Sequence, residues 1–127
     1  MAKRTGVRQS AVKRGDAADA PDTGDVIWLS FTPQAGREQA GRRPGLVLSP
    51  RSYNAKVGLC LGCPITHQVK GYAFEVVLPD GLPVHGAVLA DHLKSANWHE
   101  RGSDLIATVP SAVLDEVRAK LKPLLGM

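Results

Sequence analysis

The chain changes its hydrophobic period once. From Val26 to Val109 the apolar residues come in short β-branched and aromatic runs, each closed off by glycine, proline or polar residues. Beyond Pro110, Leu114, Val117, Leu121, Leu124 and Leu125 recur at i, i+3, i+7, i+10 and i+11, which is one face of a helix. A chain of 127 residues has room for one ordinary core. Many short strands followed by a single helix predict a mainly β protein, a small barrel with a C-terminal helix attached.

Six strands are expected. They are Val26–Phe31, Pro44–Pro50, Val57–Thr66, Phe74–Leu78, Gly86–Ala90 and Leu105–Val109. Leu93 to Trp98 reads equally as strand or short helix. Arg51 to Lys56 reads as a connection, with a turn at Tyr53-Asn54. The two glycines of the third run suggest a bend or bulge. In the helix, Ser111 is the expected N-cap, and Lys120 and Lys122 lie late, where the helix dipole favours them. Pro123 should end or distort the last turn.

Residues 1–22 contain no Ile, Leu, Phe, Trp or Tyr and read as a disordered basic tail, with the folded domain at 23–127. Lys3, Arg4, Arg8, Lys13 and Arg14 outnumber Asp16, Asp19 and Asp22 there. A salt-sensitive arm for RNA or DNA is the functional reading; a solvated leader is the plainer one and is preferred. The whole chain is only +4. It is therefore no polycation, and nucleic-acid binding would need a local patch. The start lacks the apolar centre of a secretory signal, and no apolar run approaches the ~20 residues of a membrane-spanning helix. Cytoplasm is the expected compartment.

A long polar stretch between the first two strands concentrates the charge. Gly36-Arg37-Glu38-Gln39-Ala40-Gly41-Arg42-Arg43-Pro44 sets one carboxylate and three guanidiniums ahead of a strand. Guanidinium gives phosphate oxygens two parallel hydrogen bonds and keeps its charge at cellular pH. Arg43 precedes Pro44, which holds its backbone extended and makes it the best positioned of the three. A solvated charged loop is the alternative.

Cys60-Leu61-Gly62-Cys63 matches C-x-x-C. No second such pair or paired histidines would complete a zinc site. Strand residues three apart also face opposite ways, so buried cysteines are the preferred reading. His67, His85, His92 and His99 are scattered. Asp91-His92 is a candidate acid–base pair, although neighbouring strand residues would diverge. Thr66 and His67 end a strand beside a polar loop, where substrate contacts are common.

Taken together, these residues resemble the MazF/PemK family of toxin endoribonucleases. The resemblance runs through Gly24-Asp25-Val26-Ile27-Trp28, Glu38-Gln39-Ala40-Gly41-Arg42-Arg43-Pro44 and Val47-Leu48-Ser49-Pro50. It continues through Tyr53-Asn54, Cys60 to Thr66, Lys70-Gly71-Tyr72, Phe74-Glu75-Val76-Val77-Leu78, Ala90-Asp91, Lys94-Ser95 and Trp98. It implies an SH3-like barrel working as a homodimer. It implies sequence-specific cleavage of single-stranded RNA and inhibition by a cognate antitoxin, with operator DNA reached only through the antitoxin complex. It implies no catalytic metal, no cofactor and no membrane partner. The family's catalytic arginine falls on Arg43, its threonine on Thr66 and its acid on Glu38. Arg37, Arg42, His67, Gln68 and Lys70 are the expected RNA contacts, with Asp91 as an additional candidate. Arg42 stands where a histidine is common, and His67 where a small polar residue is frequent. Leu89 stands where the PemK branch has an arginine, so that branch's acid–base pair does not carry over whole.

RNA brings its own nucleophile, the 2′-OH. The expected reaction needs in-line alignment, removal of that proton and stabilisation of the added negative charge. Arg43 suits the last task, and Glu38 or His67 the proton transfer. Two other readings stand beside this one: a gyrase-poisoning toxin on the same fold, and a non-catalytic SH3-like RNA-binding module.

Overall fold

In the computed structural model, residues 19–30, 42–99 and 104–127 are described. The strands are β1 (Asp25–Ser30), β2 (Arg42–Val47), β3 (Leu59–Thr66), β4 (Glu75–Val77), β5 (Ala87–Leu89), β6 (Lys94–Asn97) and β7 (Leu105–Thr108). The helices are α1 (Arg51–Val57) and α2 (Ser111–Leu124), with a 3-10 turn at Ala90–His92. Every strand pairing is antiparallel. The hydrogen-bonded order is β4-β5-β3-β2-β1-β7, and β6 pairs with β3 off that path. The sheet curls in a barrel-like way without closing by hydrogen bonds among the described residues, and the expected mainly β fold with a C-terminal helix is what forms.

The central strands bury both faces, which explains why they read as unbroken apolar runs rather than alternating ones. Val26, Leu46, Cys63 and Ile65 enter one core with Val113, Val117 and Leu121 of α2. Ile27, Leu29, Val47 and Cys60 enter the other with Trp98 and Ala96. Cys60 and Cys63 thus belong to different cores, as strand geometry requires. Both are free thiols, and burial pushes each up to about 12, the nearby Asp91 charge adding to the effect at Cys63.

Several local expectations are corrected. Arg51–Val57 is a helix, not a turn-bearing connection. Gly58 ends it at φ +83°, a left-handed conformation that glycine adopts without strain. Its residue Asn54 is fully buried. The Asn54 side-chain amide donates to Pro21 O at 2.9 Å and Ser49 O at 3.0 Å, while the Asn54 backbone carbonyl accepts from the Trp98 indole N–H at 2.8 Å. Within Leu93–Trp98, Lys94–Asn97 forms strand β6. In α2 the N-cap is Pro110, not Ser111. Val117 and Leu121 are buried as expected and Leu114 packs half-buried on the same core, but Val113 is buried as well and Leu124 and Leu125 are exposed. Pro123 lies within the last turn.

The expected tail boundary at residue 22 also moves. Ala20 is fully buried, and Asp22 Oδ1 accepts from the Arg51 backbone N–H at 2.9 Å. The Arg51 side chain donates through Nε to Ala20 O at 2.9 Å. Residues 19–22 therefore belong to the folded body, while 1–18 lie outside the described residues. No described helix is long and apolar enough to cross a membrane.

Candidate functional site

The site forms where the ends of three adjacent strands meet. In the β1–β2 pair, Leu29 lies opposite Arg43 and Ser30 opposite Arg42. In the β2–β3 pair, Gly45 lies opposite Pro64, so the register carried outward leads from Arg43 towards Thr66. A cavity of about 400 Å³ opens there, lined by Trp28, Arg42, Arg43, Pro44, Ile65, Thr66, His67 and Gln68. Its charged lining is entirely basic. The Arg42 guanidinium lies 5.6 Å from the centre of the Trp28 ring, a cation–π contact that stiffens a long side chain. Arg43 is half-buried and has no ion-pair partner among the described residues, so its fork of donors faces no competing carboxylate there.

Thr66 is held by the turn that follows it. Its Oγ1 accepts from the Gln68 backbone N–H at 3.1 Å, which leaves the hydroxyl proton to donate elsewhere. Next to it, Gly86 has φ +122°, and a Cβ there would come within 1.9 Å of the Thr66 carbonyl oxygen. Only glycine lets the approach to β5 run this close to the cavity wall.

The polar segment beyond Thr66 is clasped by a buried carboxylate. Glu75 Oε1 accepts from the Lys70 N–H at 3.1 Å and the Gly71 N–H at 2.8 Å. Lys120 of α2 donates from Nζ to Ala73 O at 2.6 Å. A second cavity of about 500 Å³ lies along this segment, sharing Thr66 and Gln68 with the first. It adds Lys70, Tyr72, Phe74, Leu89, Asp91 and His92. A third, of about 210 Å³, extends the other way past Trp28, Pro44, Ile65 and His67 to Pro83, Val84 and His85. The three form one trough.

Of the residues singled out in the sequence, Arg42, Arg43, Thr66, His67 and Gln68 share the first cavity, and Lys70 and Asp91 line the second. Glu38 and Arg37 lie outside the described residues. Asp91 and His92 do not diverge as strand neighbours would. They sit in the 3-10 turn with His92 Nε2 3.9 Å from Asp91 Oδ1. Sequence reasoning gave no site role to Trp28 or Glu75. The signal for Glu75 was a charge set inside an apolar strand; Trp28 follows Val26 by two residues along β1 and lies opposite Pro44. No group of three or more His, Cys, Asp or Glu among the described residues is placed to hold a metal.

Known proteins resemble this chain in sequence and in fold. Residues 22–125 match the family described as PemK-like, MazF-like toxin of type II toxin-antitoxin system. The endoribonuclease toxin MazF of Escherichia coli strain K12 is 50% identical over 106 residues, which cover 84% of this chain and 95% of that protein. A crystal structure of MazF from Deinococcus radiodurans superposes with a TM-score of 0.77 at 56% identity, covering 85% of this chain and 98% of that one. A MazE-MazF structure from the same organism gives 0.74 at 50% identity, covering 85% and 97%.

Proposed function

Because the chain belongs to the PemK-like, MazF-like family of toxins of type II toxin–antitoxin systems, we propose that it is an endoribonuclease toxin that cuts single-stranded RNA at the cavity of Arg43 and Thr66. The observation that carries the assignment is their convergence, with Arg42 and His67, in a cavity with only basic charge on its walls. Such a site draws in a phosphodiester and favours the state in which that phosphate gains negative charge.

In this reading Arg43 donates to the non-bridging oxygens of the scissile phosphate. Thr66 contributes its hydroxyl proton to the same group. The 2′-OH of the preceding nucleotide attacks phosphorus, its proton passes to His67 or Glu38, and the P–O5′ bond breaks as the 5′-oxygen of the next nucleotide takes up a proton from the protonated base or from water. The products are a 2′,3′-cyclic phosphate and a 5′-hydroxyl. The trough on either side holds the flanking nucleotides single-stranded, so that their base edges are open to side chains.

The likeness to MazE-MazF supports a cognate antitoxin as partner, and with it operator binding through that complex. We place the active protein in the cytoplasm as a homodimer, its exposed Leu124, Leu125 and Met127 offering apolar surface for association. Light scattering at micromolar concentration tests the dimer. The gyrase-poisoning and non-catalytic readings gain nothing from relatives named as endoribonucleases.

The deciding experiment is cleavage of a mixed RNA by the purified protein in EDTA, with the new 5′-hydroxyl ends sequenced. A matched substrate carries hydrogen in place of the 2′-OH at one cut site. Cleavage elsewhere with none at that site supports the mechanism. Full cleavage of the substituted site would refute it.

A further inference from the structure

The third cavity brings together two histidines that the chain keeps apart. His67 follows β3 and His85 precedes β5, with β4 between them in sequence. Both line this cavity of about 210 Å³, and its remaining lining residues are all apolar. Strand pairing explains the meeting. Thr66 lies opposite Ala87, so the register carried one residue outward sets His67 opposite Gly86, the neighbour of His85. The two backbones touch there, since a Cβ at Gly86 would stand 3.1 Å from His67 Cα. His85 is bracketed by fixed points: Val84 is buried in the core, and the Gly86 carbonyl accepts from the Leu78 N–H at 2.9 Å. Both histidines are exposed, and no side-chain hydrogen bond or ion pair engages either ring among the described residues.

We propose that His67 and His85 together bind a transition ion of the Zn²⁺ kind, each through one ring nitrogen, and that the bound ion blocks cleavage. The neutral imidazole is a good ligand for Zn²⁺, Ni²⁺ and Cu²⁺. Such an ion sits about 2.0–2.1 Å from each nitrogen, a span that two imidazoles on touching backbones can close. Two protein donors leave the rest of the coordination shell to water. The ion is therefore exchangeable, unlike the closed four-ligand sites that hold a fold together.

The surroundings select among ions. Mg²⁺ and Ca²⁺ are hard and require oxygen ligands, and this lining holds no carboxylate. Arg42 and Arg43 in the adjoining cavity also repel any cation held by charge alone. What remains are metals that bond to nitrogen. The inhibitory half of the proposal rests on the reading of the chain as an RNA-cutting enzyme. His67 lines the cleavage cavity as well as this one. A lone pair given to a metal cannot take the 2′-OH proton, and the hydrated ion stands in the path of the RNA strand along the trough.

The test titrates ZnCl₂, NiCl₂ and MgCl₂ into the full chain by calorimetry, without RNA. One equivalent of Zn²⁺ or Ni²⁺ should bind, and Mg²⁺ should not. His67→Ala and His85→Ala should each weaken binding by roughly a hundredfold, because a chelate loses one of its two linked donors. His92→Ala should bind as the wild type does. Absence of Zn²⁺ and Ni²⁺ binding, or binding untouched by both substitutions, would overturn the proposal. Loss of binding in His92→Ala instead would move the ion to the Asp91–His92 pair and overturn it equally. Cleavage of one short RNA is then followed at buffered free Zn²⁺, each variant measured against its own rate in EDTA. The wild type should be inhibited, and His85→Ala should need roughly a hundredfold more Zn²⁺ for the same inhibition. Equal sensitivity of the two would refute the inhibitory half. If the wild-type protein cuts no RNA in EDTA, the functional reading falls, and calorimetry alone decides whether the two histidines hold a metal.

Discussion

Gly86 and the Thr66 carbonyl oxygen stand so close that no side chain fits between them. A Cβ at Gly86 would lie 1.9 Å from that oxygen, and the glycine backbone is at φ +122°. Gly86→Ala must therefore push β5 off β3 or displace Thr66, since both obstacles are backbone. A loss of about 2–3 kcal/mol of stability is expected from overpacking and strain together. Denaturant unfolding measures it. Cleavage should fall even where the variant remains folded, because the displaced residue lines the cleavage cavity. Wild-type stability and rate together would show that the seam can yield.

Arg43→Ala should reduce single-turnover cleavage by ~10²–10³ with circular dichroism unchanged, since it removes a donor to developing negative charge but no core volume. Arg43→Lys should recover little, because ammonium keeps the charge and loses the planar fork. Arg42→Ala is the comparison. Its guanidinium rests on Trp28, and its loss should weaken RNA binding in a salt-dependent way. A reversed order of severity would exchange the roles of the two arginines.

Glu75→Gln keeps the shape of the clasp but removes the charge that strengthens its hydrogen bonds to Lys70 and Gly71. The expected cost is about 1–2 kcal/mol. The loss should appear mainly as a higher KM, because the clasp shapes the segment beside the second cavity and not the phosphate site. Amide exchange at Gly71 reports the clasp directly, and protection equal to wild type would refute its role.

Removing residues 1–18 should leave thermal stability unchanged, whereas removing 1–22 should lower it by roughly 1–3 kcal/mol. The longer truncation takes away Ala20 burial, the Pro21 carbonyl that satisfies the buried Asn54 amide, and the Asp22 contacts to Arg51. Equal melting temperatures for the two truncations would mean that this anchor contributes nothing.

Cys60 and Cys63 should resist alkylation at pH 8 in the native protein and react on unfolding, since both are held as neutral thiols. The stability linked to them has a definite sign. Their folded values are raised from 9.0 to about 12, so their contribution is intact below pH 9 and declines as pH rises towards 12. Cys60→Ala and Cys63→Ala should flatten that alkaline decline.

The strand pattern was readable because both sheet faces are buried and the runs are accordingly apolar throughout. Arg43, Thr66 and His67 were readable because they end such runs beside polar segments. α1 was missed because Arg51–Val57 has no apolar stripe; its one buried residue is the polar Asn54, satisfied by partners 33, 5 and 44 positions away in the chain. On α2 the period correctly gave Val117 and Leu121; it missed Val113, which also turns inward, and included Leu124 and Leu125, which stay exposed at the helix end. Ala20 gave no signal, since a small residue in a polar stretch says nothing about the surface that covers it. The Asp91–His92 juxtaposition depends on a 3-10 turn that interrupts strand alternation after Leu89.

β1 draws its two hydrogen-bonded neighbours from distant parts of the chain. One edge pairs with β2, the next strand; the other pairs with β7, Asp25 lying opposite Thr108, and the Val109 N–H donates to Gly24 O. The strand that helps wall the cleavage cavity is thus locked only when the last strand has been synthesised, and non-local pairing of this kind forms late. A chain in which β7 has not yet docked carries Arg43 and Thr66 without the completed wall that sets them around one cavity.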